Sequence, residues 1–100
     1  MTLPDSDYKL AQSKKLRFQV STKEGKGKRW SVYKCDLDLL EAFSTASSIT
    51  DEAVEIGIWL IGPSEEGNYL YWTNSHPDVF NTTILERGNH ANSKSNNGSA

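Results

Sequence analysis

Val54-Glu55-Ile56-Gly57-Ile58-Trp59-Leu60-Ile61 is the stretch that decides the fold. Val54, Ile56, Ile58 and Leu60 fall on one side of an extended chain, and Glu55, Gly57, Trp59 and Ile61 on the other. That is the period of two of a β-strand. Its second half is apolar on both sides, as expected of a central strand partly covered on both faces. Gly62-Pro63 ends it, and Ser64 to Asn68 reads as a turn. Tyr69 to Thr73 supplies the next strand, with Leu70 and Trp72 opposite Tyr69 and Tyr71. The spacing predicts a hairpin.

Upstream of this hairpin the period changes. Leu39, Leu40, Phe43 and Ala46 share one helical face, with Ala42 at its edge. Asp36 is the expected N-cap, with Asp38 and Glu41 near the positive end of the helix dipole. Ser44, Thr45, Ser47 and Ser48 are weak helix formers, so the helix should fray before Thr50.

Further upstream, Leu16, Phe18 and Val20 alternate with Arg17, Gln19 and Ser21. Gly25 and Gly27, set among charges, suit a hairpin loop. Arg29 to Cys35 reads as the returning strand. The fold class is therefore α+β: a small antiparallel sheet of about four strands in two hairpins, with one helix on one face. The order is β-β-α-β-β plus a short C-terminal element, whose form over 76–87 the pattern leaves open. Residues 1–13 read as an N-terminal leader, in which Pro4, Asp5, Ser6 and Asp7 favour turns over regular structure, 14–87 as a single α+β domain, and 88–100 as a disordered polar tail.

The chain has 100 residues and one cysteine, Cys35. This length fits one domain. A single thiol forms no internal disulfide, and the sequence has no Cys/His cluster for zinc. The N-terminus lacks a secretory pattern, and the apolar run Ile56–Ile61 falls far short of the roughly 20 residues that span a bilayer. On these features the protein is expected to be cytoplasmic, with no membrane partner.

Charge is distributed unevenly. Lys9, Lys14, Lys15, Arg17, Lys23, Lys26, Lys28, Arg29 and Lys34 share their segment with one acid, Glu24. From Asp36 to Glu86 there are ten acids and no lysine or arginine. Either the two segments neutralise each other in the fold, or they form opposed patches for charged partners.

No arrangement points to catalysis. Cys35 lies next to acids, not beside the basic groups or helix N-terminus that activate a thiol. His76 precedes a proline, and His90 falls in the tail. No phosphate loop, zinc-protease helix or nucleophile elbow is present, so neither a catalytic residue, a metal nor a cofactor is assigned.

Two binding functions remain. In the first, the chain is a small non-enzymatic interaction protein, an inhibitor or regulator. It would bind another protein, one with a basic surface, through a sheet face and an acidic surface formed by Glu55, Trp59, Glu65, Glu66, Tyr69 and Tyr71. In size and charge it resembles bacterial immunity proteins and phage-encoded inhibitors. In the second, the hairpin 14–34 binds nucleic acid through Lys14, Lys15, Arg17, Lys26, Lys28, Arg29 and Trp30. The aromatic residues also have a structural reading, a second small core covered by the termini. An uncovered strand edge would permit a dimer.

Overall fold

A computed structural model describes residues 3–25, 29–51, 54–62 and 68–86. In chain order the elements are α1 (Asp5–Ser13), β1 (Phe18–Lys23), β2 (Ser31–Leu37), α2 (Leu39–Ser48), β3 (Glu55–Leu60) and β4 (Tyr69–Thr73), followed by a helical turn over 82–86. The strands form one antiparallel sheet in the order β2-β1-β3-β4. Both expected hairpins form, and they join through β1 and β3. The expected tail 88–100 lies outside the described residues.

One face of the sheet carries the core. Phe18, Val20, Ile56, Ile58 and Leu60 point into it and meet Leu39, Ala42, Phe43 and Ala46 of α2. Ala11 of α1 and Ile84 and Leu85 of the last turn complete the cluster. Between β3 and β4 the register shifts past Ile58, a bulge that sets two residues of β4 against one of β3. Tyr71 and Trp72 accordingly both reach Phe43, with ring centroids 6.4 and 5.4 Å away.

The segment expected to be a leader is a helix. Pro4 stands at the N-cap, and Asp5 and Asp7 occupy the first turn. These residues, read as turn formers, are equally the signature of a helix start. The helix ends in a Schellman motif. The Lys15 N–H donates to Gln12 O and the Leu16 N–H to Ala11 O, with Lys15 at φ 56°. Its stability comes from burial. Asp7, 2% exposed, accepts a 2.6 Å hydrogen bond from the Tyr71 hydroxyl and one from Thr82 Oγ1 at 2.9 Å. Lys14 Nζ donates to Leu85 O at 3.1 Å. These bonds tie α1 to β4 and to the last helical turn.

Two local expectations shift. The N-cap of α2 is Asp38, not Asp36: Asp38 Oδ1 accepts from the Glu41 N–H, and Glu41 Oε1 accepts from the Asp38 N–H. This reciprocal capping box satisfies two helix-end donors, which Asp36 has no equivalent means of doing. Asp36 instead sits at φ 60° in a bulge of β2. Leu40 lies one residue round the helix from the buried row of Leu39, Ala42, Phe43 and Ala46, and is 52% exposed.

Among the described residues no helix is long and apolar enough to cross a membrane.

Candidate functional site

The opposite face of the sheet has no described helix on it. Register places Gln19 beside Trp59, Ser21 beside Gly57 and Val32, and Lys23 beside Glu55 on this side. Trp30, which precedes β2, folds over the middle of the face. Its ring meets that of Trp59 edge to face, with centroids 5.6 Å apart. The close approach depends on Gly57. A Cβ there would lie 2.8 Å from Trp59 Nε1 and 3.1 Å from Trp30 Cζ3. Glycine inside a strand often marks such an approach. The two rings border a shallow depression of about 350 Å³ lined by Gln19, Ser21, Trp30, Val32, Trp59 and Asn68.

Trp59 Nε1 is buried and has no hydrogen-bond partner among the described residues. Leaving a buried donor unsatisfied costs about 1–3 kcal/mol. The helix-side face contrasts with this: the Tyr71 hydroxyl, the Asp7 carboxylate and the Trp72 indole, which donates to Pro77 O at 3.0 Å, are all bonded.

Ion pairs stand at both ends of the open face. At one end Arg17 Nε meets Asp36 Oδ1 at 3.0 Å. At the other Lys23 Nζ meets Glu55 Oε1 at 3.3 Å and lies 4.9 Å from the centre of the Trp30 ring. Glu55 Oε2 also accepts from Thr73 Oγ1 at 2.8 Å. Hydrogen bonding from Ser75 foremost, then from Thr73 and Lys23, holds the Glu55 carboxyl below its ordinary value of 4.5, and burial works the other way. Each pair joins the basic first segment of the chain to its acidic second segment. At these two points the charge asymmetry of the sequence is neutralised.

The residues expected to form one site therefore separate. Trp59 and Glu55 lie on the open face. Tyr71 is 1% exposed on the helix side, where Phe18, Phe43 and Phe80 surround it, so it has no surface to present. Tyr69 is half-buried against the same core. Glu65 and Glu66 lie outside the described residues. These tyrosines join the main core beneath α2, not a second small core of their own. The basic set also disperses. Lys14 binds carbonyls at the last turn, Arg17 is paired with Asp36, and Lys26 and Lys28 lie outside the described residues. Lys15 and Arg29 are exposed, and Trp30 is half-buried. Cys35 is exposed on β2.

Val32, Gln19, Ser21, Gly57 and Asn68 belong to the face and were not picked out from the sequence. The mid-strand glycine was the available signal, since it lies two positions before a tryptophan on the same side of the strand.

No group of His, Cys, Asp and Glu among the described residues is arranged to hold a metal ion. No family model, curated protein or solved structure matches the chain.

Proposed function

We propose that the protein is a small interaction module that binds another protein through the open sheet face centred on Trp30 and Trp59. The observation that carries this reading is the organisation of that face: two tryptophans over its middle, exposed Val32 beside them on the edge strand, and polar residues and paired charges around them. An apolar, aromatic centre within a polar rim is the anatomy of a protein interface. The unsatisfied Trp59 N–H adds support. A partner carbonyl reaching it as Trp30 moves aside would relieve its cost.

The same geometry weighs against nucleic acid. The Lys23 ammonium already lies over the Trp30 ring, which limits stacking of a base there. Arg17 and Lys23 already pair with carboxylates. The acidic surface expected to share in binding is reduced in the same way, because Glu55 is committed to Lys23, Thr73 and Ser75.

The test is capture of partners on immobilised protein, with and without nuclease, comparing wild type with Val32→Glu. Retention of a discrete protein after nuclease, and its loss with Val32→Glu, is the expected result. Recovery of nucleic acid that disappears when Lys26, Lys28 and Arg29 are replaced by glutamate would overturn the reading in favour of the basic hairpin.

A further inference from the structure

The two edges of the sheet are treated differently. At β4, residues 77–81 fold back onto the strand: the Asn81 N–H donates to Tyr71 O at 3.0 Å, and Asn81 Nδ2 donates to Leu70 O at 3.2 Å. At β2 every residue from Ser31 to Asp36 is exposed. Among the described residues nothing pairs with the outer edge of β2, and Val32 and Tyr33, 61% and 57% exposed, are its large apolar residues. Val32 also lines the Trp30–Trp59 depression, so edge and depression are continuous. A bare strand edge is a template for an added strand, with main-chain hydrogen bonds supplying affinity and a neighbouring pocket supplying specificity.

Two features decide what such a strand would be. The register of β2 against β1 shifts at Tyr33 and again at Cys35–Asp36, and Lys34 sits between the shifts. Bulges and an edge lysine shorten the stretch open to any added strand, and a second copy would besides set Arg29 and Lys34 against their like. A second copy of this chain is therefore disfavoured. Charge then selects among other occupants. Along 29–36 the charged residues are Arg29, Lys34 and Asp36, and the Asp36 carboxylate is already taken by Arg17. With Glu24 beside Arg29 at the start of the strand, what faces an incoming strand is cationic on balance, most clearly at Lys34.

We infer that β2 accepts an extended, acidic segment of the protein partner as a fifth strand, with one of its apolar side chains over Val32 in the Trp30–Trp59 depression. This rests on the proposed use of the open face and specifies the partner's local chemistry. The segment's main chain pairs along 31–34, where the bulge at Tyr33 keeps the pairing short. Its carboxylates lie near Arg29 and Lys34. Affinity then depends on salt as well as on the apolar contact.

The probe is a library of short random linear peptides selected on the immobilised full chain, followed by amide mapping with the tightest peptide. The expected peptides are acidic with apolar residues at alternate positions. They should shift the amides of 31–34 and the Trp59 indole, and should weaken about tenfold when Arg29→Glu and Lys34→Glu are combined. Three results would overturn the inference: no enrichment or enrichment of basic peptides, shifts confined to α2, or protection of 31–34 that grows with protein concentration alone, which would mark self-pairing. If Val32→Glu abolishes partner capture while the Arg29→Glu/Lys34→Glu variant leaves it intact, the added strand fails and the open face stands. If Val32→Glu leaves capture intact, the reading of the face itself fails.

Discussion

The two faces of the sheet are built from alternate residues of the same strands, yet they follow different rules. On the helix side, Phe18, Val20, Ile58, Leu60 and Tyr71 interlock with α2, and each buried polar group described above has a partner. On the open side a Trp pair rests on a glycine, with an indole N–H unsatisfied and ion pairs at the margins. The first arrangement is the one that stabilises a fold. The second gives up some stability and leaves apolar surface in solvent, as a binding face does.

The sharpest way to break this contrast is to truncate one residue on each side. Phe18→Ala should cost about 3–5 kcal/mol, enough to threaten the fold. Val32→Ala should change stability by less than about 0.5 kcal/mol. Urea unfolding followed by circular dichroism measures both, and similar costs would erase the distinction.

The buried Tyr71–Asp7 bond comes next. Tyr71→Phe removes the shorter of the hydrogen bonds to the buried Asp7 carboxylate and should cost about 1–3 kcal/mol. It should also change the alkaline limb of stability. Burial first, and then the Asp7 carboxylate as acceptor and neighbouring charge, push the Tyr71 hydroxyl above its ordinary value of 10.0. The unfolded chain releases that proton as pH passes about 10 while the folded chain keeps it, so stability falls above that pH. Tyr71→Phe should flatten this part of the fall in a series of thermal melts.

On the open side Gly57→Ala is the corresponding probe. Its methyl group would overlap Trp59 Nε1 and crowd Trp30. Overpacking in a close contact typically costs about 1–3 kcal/mol. Trp30 lies outside the regular strand and can yield, while Trp59 is held in β3, so the expected cost falls within this range, together with a red shift in tryptophan emission. A large loss of stability without a spectral change would mean that Trp30 is fixed as firmly as a core residue.

The smallest effect belongs to Glu55→Gln, at most about 1 kcal/mol near neutral pH for a partly exposed pair. Because the Glu55 carboxyl is held below 4.5, its contribution is present above that pH and is lost as pH falls through the lowered value. The variant should therefore match wild type in acid and fall below it at neutral pH in the same melts.

Much of this architecture was legible in the sequence. Strict alternation in Leu16–Ser21 and Val54–Ile61, with glycines between strand runs, fixed two hairpins and the helix between them. Pro4-Asp5-Ser6-Asp7 misled because turn formers and helix starters are the same residues, and only burial of Asp7 beneath Tyr71 chooses between them. The capping box at Asp38–Glu41 was present in the sequence, but Asp36 offered a competing cap two residues earlier. Of the candidate site, Trp59 was placed correctly opposite the most regular apolar row. Tyr71 was not, because alternation gives two faces without saying which one the helices cover, and a bulge at Ile58 changes the parity of β4. The asymmetry of charge along the chain did not reveal that Arg17–Asp36 and Lys23–Glu55 would close across the fold.

The most direct measurement compares the two sides in one experiment. Val32 on the open face and Leu40 on the outer side of α2 are both large, apolar and exposed, at 61% and 52%. A photo-crosslinking amino acid at each position in turn should yield a discrete protein adduct from position 32 and none from position 40. An adduct from position 40 alone, or a nucleic-acid adduct from position 32, would contradict the assignment of the open sheet face as the protein-binding surface.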